Sequence, residues 1–474
     1  MGTLLALLPL GLVLVLLASG RAGALVAGLV GLAATVVVSG ASPALLMREV
    51  PAGLWLSGQV IAIIATGIFF HYCQQARGEA TIEDAVEATP RRLWTLCFLV
   101  GPFAESVTGF GVGYMIALAS LQRLGLSGLP TLLLGLYSQS LVPWGALAIS
   151  TTVGATLAGL TPNGLGLGSA LLQMPIHCLY LAVYWRLVRA AGIAVPFTQK
   201  LDDLAWTGLL LLLIWLANRY GDVEIAGAAP TALLAALRFW RDERPGRARL
   251  VDALRTNAPY IALTLALCAT RLVPPLRHLL QPLWAMKPFD NQPAFAPLYA
   301  PGFWLVAIGI VVVLTAKASL FRVIAKAAQS AWRACLVTLV FVVMAELYVG
   351  SGMAQQIAEA LETAVGREAA LGVPLFAAIG GFLTGGGATA NAMLMPMVTA
   401  LSQALMLDPS WIASVQNSLC TNLTMLSPIR IAMGVALLGL KISDAELYRH
   451  AWPLALPPMI VGVAAIALLL FASF

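Results

Sequence analysis

Long apolar runs separated by short polar breaks organise this chain. Met1–Ser19, Ala22–Val38, Leu54–Phe70, Leu209–Ala217 and Pro457–Phe474 are nearly unbroken hydrophobic stretches. Such runs need lipid or other membrane segments around them. Hydrocarbon offers backbone N–H and C=O groups no water to bond, so the spans must be helices, and nothing in the pattern reads as barrel strands. The pattern predicts an all-α polytopic membrane protein. The first run has no basic stretch before it and another run follows almost at once, so it reads as a span, not as a cleaved signal peptide.

Two breaks repeat one pattern. Gly101-Pro102-Phe103-Ala104-Glu105-Ser106-Val107-Thr108-Gly109-Phe110-Gly111 interrupts an apolar region with glycine, hydroxyls and a carboxylate, and the Gly380–Asn391 stretch does the same about 280 residues later. In each half a second apolar segment follows, itself broken by polar residues and a proline. These are Gln139-Ser140-Leu141-Val142-Pro143-Trp144-Gly145 in the first half, and Gln416-Asn417-Ser418 through Asn422 to Ser427-Pro428 in the second. Phe103 precedes Gln139 by 36 residues, and Phe382 precedes Gln416 by 34. Broken helices at matching positions of two halves point to a transporter's substrate site.

Composition supports the membrane reading. Of 474 residues 60% are hydrophobic and 10% charged, and the mean hydropathy is +0.89, which excludes a soluble protein built on one core. The net charge of +6 comes from basic residues scattered between spans, so nucleic acid is not an expected partner. Cys73, Cys97, Cys178, Cys268, Cys335 and Cys420 stand singly in or beside apolar segments with no CxxC pair, so the expectation is small buried hydrophobes and neither disulfides nor a metal site.

Charge sets an expected topology. The loop from Arg238 to Arg255 holds six arginines and is assigned to the cytoplasm. Two spans back (about 203–217 and 225–238) lie Arg186, Arg189 and Lys200; two spans forward (about 257–272 and 303–317) lie Lys317, Arg322, Lys326 and Arg333. The stretch between those forward spans carries Asp290 and seven prolines from Pro274 to Pro301 and becomes an external loop. A span at 54–72 enters a charged loop with Arg77, Arg91 and Arg92. The first glycine-rich region then has inside charges on both flanks, with Arg123 following, which suits a re-entrant hairpin at about 93–124. A broken helix (131–157) goes out and a span (169–186) returns. In the second half a span (333–350) reaches an external Gln355–Arg367 loop, a hairpin (about 374–406) starts and ends outside, and a broken helix (412–440) returns to Lys441, Arg449 and His450. The last span is 452–472. The same order of elements in opposite orientation is an inverted-topology repeat. The expected divisions are 1–50, a first repeat at 51–200, 201–317, and a second repeat at 318–474, with about twelve spans and two hairpins in all.

Candidate chemistry sits at the breaks. Glu105 is a carboxylate at membrane depth, where such groups mark ion or proton paths; it either carries the coupling proton or stays ionised and holds the hairpin through backbone or arginine contacts. The tip glycines, Gly109 and Gly387 among them, permit tight reversal, and helix N-termini there offer N–H groups to an anion. Ser106, Thr108, Ser140, Thr384, Thr389, Asn391, Gln416 and Asn417 supply hydroxyls and amides for substrate, against the competing roles of capping and helix packing. Arg430 suits bidentate capture of a carboxylate, or pairs with Glu105 or Glu346, or reaches toward the cytoplasm. His177 is placed for a proton relay or is a satisfied structural histidine. Glu346 lies toward the outer end of its span and reads as interfacial. Asn391 and Asn422 are candidate cation ligands. No metal or cofactor is expected; the coupling ion is H+ or, alternatively, Na+.

These residues resemble a known family. Phe103-Ala104-Glu105-Ser106-Val107-Thr108-Gly109-Phe110-Gly111 resembles the FLEGAAGFG-type motif of the bacterial L-lactate permease family, and Trp144-Gly145-Ala146-Leu147 its FGALGTP segment. Gly381-Phe382-Leu383-Thr384-Gly385 with Thr389 and Asn391 is similar to its second hairpin, and Gln416 and Asn422 fit the segment that follows. Where that family has Gly-Thr-Pro this chain has Ala148-Ile149-Ser150, and where a histidine-asparagine pair is expected it has Ser427-Pro428, with Arg430 nearby. The resemblance implies cation-coupled uptake of lactate, glycolate and similar small 2-hydroxy-monocarboxylates. It also implies an elevator-type transporter in a bacterial cytoplasmic membrane, often a homodimer, with 1–50 and 203–317 as scaffold and the two hairpin regions as the moving part.

A membrane-embedded enzyme is the reading from another class. It would need a polar catalytic cluster, whereas His71, His177, His278 and His450 are dispersed and no acid pair falls within one span. Gly385–Gly387 lacks the Lys-Ser/Thr of a phosphate-binding loop, which leaves ATP-driven pumping unsupported.

Overall fold

A computed structural model describes residues 2–40, 42–78 and 87–472. Among the described residues every regular element is helical, apart from one isolated antiparallel bridge between Met286 and Phe295. Seven helices are long and apolar enough to cross a membrane, three bent pairs bring the number to ten, and Leu4–Ala18, Ala24–Val38 and Pro301–Thr315 are shorter apolar helices. The chain is a multi-pass helical membrane protein.

Several helices outrun the apolar runs that announce them. The span expected at 54–72 is the Pro43–Gln75 helix, and that at 333–350 is Leu320–Gly350. Likewise 169–186 becomes Pro162–Ala190, 203–217 becomes Phe197–Tyr220, and 257–272 becomes Arg247–Leu272. Caps fix where three of them start: Ser42, Thr161 and Ser319 each accept from the backbone N–H three residues on. Pro43 and Pro162 then open the first turn, where a missing N–H costs nothing. The divisions expected at 50/51 and 200/201 therefore fall inside helices. The Gln355–Arg367 loop is corrected too: Met353–Val365 is a helix, followed by a 3-10 turn over Gly366–Gly372. Its apolar side, with Met353, Ala354, Ile357 and Ala358 buried, packs on the second hairpin, which stabilises a helix that mean hydropathy alone does not suggest. The charged loop between Arg77 and Arg91 runs through 79–86, outside the described residues.

Both hairpins form. The first arm runs continuously through Pro90–Thr95, a π-helical turn at Leu96–Val100, and Gly101–Thr108. The chain reverses at Gly109, Phe110 and Gly111, all left-handed at φ 69°, 55° and 82°, and returns as Val112–Arg123. The second hairpin pairs Val373–Thr384 with Gly387–Ala404 across Gly385, at φ 66°. Both broken helices are interrupted by a 3-10 turn, and only the first bends by more than 40° there. Gly128–Tyr137 meets Gly145–Leu157 through a 3-10 turn at Val142–Trp144 with a bend of 57°; Pro409–Leu423 meets Pro428–Leu438 through a 3-10 turn at Thr424–Leu426. The residue after each turn has the same backbone, φ −61° and ψ 145°, at Gly145 and at Ser427. They then diverge. Ala146, Leu147 and Ala148 form a left-handed turn at φ 47°, 55° and 62°, whereas Pro428, whose ring holds φ near −65°, goes straight into helix.

The Pro43–Gln75 and Leu320–Gly350 helices pack along one another, joined by Ala24–Val38 and Pro301–Thr315. The broken helices, both hairpins, Pro162–Ala190 and Leu456–Ala472 pack among themselves, with the Ala228–Arg238 helix against the first hairpin.

Candidate functional site

Glu105 anchors the first hairpin tip. It is 3% exposed, and its Oε1 accepts from the Gly111 N–H and its Oε2 from the Gly113 N–H, both at 3.1 Å. The return helix begins at Val112, so the N-terminus expected to receive a ligand anion already holds the protein's own carboxylate. Only glycine allows this at 113, because a Cβ there would lie 2.4 Å from the Glu105 nitrogen and 2.6 Å from the Gly101 oxygen. Arg430, from the far side of the second break, places Nη2 3.3 Å from Glu105 Oε1 and donates through Nη1 to Gln139 Oε1. Arg430 is 6% exposed. Of its alternatives, the contact with Glu105 is the one present. A buried guanidinium thus joins the first hairpin, the first break and the second break.

Ser140, next to Gln139, hydrogen-bonds His177. His177 Nδ1 lies 3.0 Å from the Gln173 carbonyl, which only accepts, so that nitrogen carries the proton and Nε2 accepts from Ser140 Oγ at 3.2 Å. The ring also packs against Phe98 and Tyr180. Both nitrogens are satisfied, and the arrangement positions Ser140.

A third group ties the second hairpin to the first broken helix. Asn391 Nδ2 donates to the Ser150 carbonyl (2.9 Å) and to Asn417 Oδ1 (2.8 Å), and its Oδ1 accepts from Cys420 Sγ at 3.2 Å. Asn417 Nδ2 donates to Thr151 Oγ1 and Ser169 Oγ. Asn391, expected to face substrate or a cation, and Asn417, expected to face substrate, have these bonds within the protein. Gly154 and Gly387 make room: a Cβ at either would come within 2.9 Å of Asn391 Nδ2 or 2.6 Å of Ser150 Oγ, respectively.

The remaining expected residues scatter. Thr108 and Thr384 bond back to the Ala104 and Gly380 carbonyls of their own helices. Ser106 lies against Gly227, where a Cβ would lie 2.5 Å from its Oγ, and that Oγ is buried without a hydrogen-bond partner. Gly109 abuts the left-handed Ala146. Thr389 lies beside Gly386 at the start of Gly387–Ala404, whose N-terminus has no side-chain cap. Asn422 Nδ2 bonds the Ser418 carbonyl, while its Oδ1 has no partner. Gln416 is fully buried, and neither of its amide atoms has a partner. Gln173, Gln139 Nε2 and Ser418 Oγ are likewise buried and unpartnered. Buried amides without partners are costly, and those of Gln139, Gln173 and Gln416 lie on elements packed at the first break. The sequence marks Gln139 only as the start of the first break and does not mark Gln173; an amide beside a membrane-depth break or a mid-span histidine is the available signal.

Residues 284–472 match the family model described as L-lactate permease. That segment contains Glu346, the second hairpin and the second broken helix with Arg430; Glu105 lies outside it. No curated protein matches the chain. Among solved structures it is similar to the YdaH transporter of Alcanivorax borkumensis, a crystal structure described as revealing an unusual topology. The identity is 13% and the TM-score 0.47, over 91% of this chain and 88% of that one.

Proposed function

We propose, from the match of residues 284–472 to the family model described as L-lactate permease, that the chain is a secondary active transporter, a symporter that imports a small monocarboxylate such as lactate or glycolate with protons. The carrying observation is Arg430, a buried guanidinium at a helix break, held by a carboxylate of the protein itself beside amides with unpartnered atoms. A substrate carboxylate presents the same acceptor chemistry as Glu105. In this reading it takes Arg430 from Glu105, and the Gln139 and Gln416 amides serve its remaining oxygens and 2-hydroxyl. Glu105, left with the Gly111 and Gly113 N–H groups, takes the coupling proton. One proton cancels the anion's charge; a second would add roughly 2.3 kcal/mol per 100 mV of membrane potential. Alternating access moves the hairpins and broken helices as a unit against the N-terminal helices through Gln75 and the helices from Phe197 to Thr315, in an elevator fashion, within a homodimer in a bacterial cytoplasmic membrane of about twelve spans.

Uptake of labelled lactate and glycolate into proteoliposomes tests this. An imposed pH gradient, acid outside, drives accumulation that a protonophore abolishes, and Glu105→Gln loses accumulation while retaining exchange of labelled for unlabelled substrate. Accumulation driven by a sodium gradient alone would replace the proton with Na+, and failure to carry either acid would refute the substrate class.

A further inference from the structure

A second acidic pair lies in the packed helices, apart from Arg430 and its neighbours. Glu49 and Glu346 are 7% and 5% exposed. Each begins a Glu-x-x-x-Gly sequence, Glu49 to Gly53 and Glu346 to Gly350, which puts carboxylate and glycine on one helix face. The Pro43–Gln75 and Leu320–Gly350 helices then fit these faces reciprocally. A Cβ at Gly350 would lie 2.3 Å from Glu49 Oε1, and one at Gly53 would lie 3.4 Å from Glu346 Cγ. Gly350 thus admits the Glu49 carboxylate and Gly53 the Val343 backbone beside the Glu346 stem, which sets the two acids on facing sides of one helix contact. Glu346, four residues from the end of its helix, is enclosed by the Pro43–Gln75 helix and by Gln292.

Charge and donor chemistry narrow what this pair takes. Arg48 Nε contacts Glu49 Oε1 at 2.5 Å from a side chain that is 70% exposed. Gln292 Nε2 donates to Glu346 Oε1 at 2.8 Å. Arg48 pairs with Glu49 alone, so an ionised Glu346 has the Gln292 amide but no cationic partner in a buried place, which is costly. Gln292 is itself 3% exposed, and its Oε1 has no partner. The adjacent Pro293 carbonyl is fastened by Trp55 Nε1 and Gln59 Nε2, both at 3.0 Å, so the amide is held over the helix pair. The available donors are all hard oxygens, and no third acidic, histidine or cysteine ligand joins them among the described residues. We propose that Glu49, Glu346 and Gln292 Oε1 hold a monovalent alkali cation between the two longest helices, a site separate from the substrate reading above.

Thermal unfolding of the purified full-length protein in detergent tests this, in NaCl, KCl or choline chloride at equal ionic strength. The midpoint rises saturably with sodium or potassium and not with choline. Gln292→Leu raises the half-saturating concentration about tenfold. Glu346→Gln, which removes the uncompensated charge, abolishes the dependence and melts in choline where the unchanged protein melts in saturating alkali salt. Equal midpoints in all three salts, or a dependence intact in both variants, would overturn the site. A midpoint that follows pH in choline and ignores alkali cations would assign the pair a shared proton and overturn it equally. If Glu346→Gln fails to fold, an unaltered response in Gln292→Leu also counts against the proposal. None of these readings depends on which substrate is carried.

Discussion

Arg430 uses its terminal nitrogens on Gln139 and Glu105, and Glu105 places its two oxygens on three donors. Such a pair stabilises little by merely being present but costs about 3–5 kcal/mol when one partner is removed, because the other stays buried and charged. Arg430→Gln should therefore lose roughly that much stability, and the Glu105→Gln/Arg430→Gln double variant should recover much of it. Chemical denaturation of the four proteins gives the coupling directly, and simple additivity would mean that the pair is not coupled. His177 makes the opposite case. With both ring nitrogens bonded to fixed partners, His177→Ala should slow uptake through loss of Ser140's orientation and leave the pH profile of transport unchanged. A displaced profile would reinstate a proton relay. The sequence shows that Glu105, Arg430 and His177 are out of place in apolar surroundings. It does not say which of them meet, since the contact spans 325 positions along the chain.

Hairpins and breaks were readable because glycine and proline impose them locally: Gly109, Gly111 and Gly385 adopt left-handed backbone, and Pro143 and Pro428 sit at the two interruptions. Helix ends were not readable, since capping by Ser42, Thr161 and Ser319 lies outside the apolar runs. The left-handed turn at Ala146–Ala148 gives no local signal at all. Non-glycine residues there cost about 1–2 kcal/mol each, and packing against Gly109 has to offset that. Contact distances also separate two adjacent glycines in the second hairpin. A Cβ at Gly381 would lie 1.9 Å from the Cys420 carbonyl oxygen, whereas one at Gly380 meets only the tip of the Leu394 side chain at 2.6 Å. Gly380→Ala should cost about 1–3 kcal/mol, the range of ordinary overpacking. Gly381→Ala should cost clearly more, because backbone cannot swing aside. Comparable midpoints for the two variants on thermal unfolding would show that the hairpin is not docked this closely.

Across the whole molecule, the first hairpin touches the Ala228–Arg238 helix through Ser106 and Gly227, a contact between the proposed moving unit and the proposed scaffold. A Cβ at Gly227 would lie 3.1 Å from Ser106 Cβ, a few tenths of an ångström short of ordinary disulfide geometry. Ser106→Cys with Gly227→Cys should cross-link on oxidation and stop uptake, and a reductant should restore it. Full uptake by a completely cross-linked protein would exclude sliding between these elements.

By itself the sequence determined that this is a helical, multi-pass membrane protein with two glycine-marked hairpins and two interrupted helices. Those features follow from hydropathy, and from the φ preferences of glycine and proline, acting over a few residues. Only the tertiary structure decided how the polar groups combine. Asn391 bonds Asn417, Glu105 pairs with Arg430, Gln416 is left without a partner, and Glu49 packs against Gly350, one turn from Glu346. Which buried polar group meets which depends on how distant helices pack, and no local pattern in the chain encodes that.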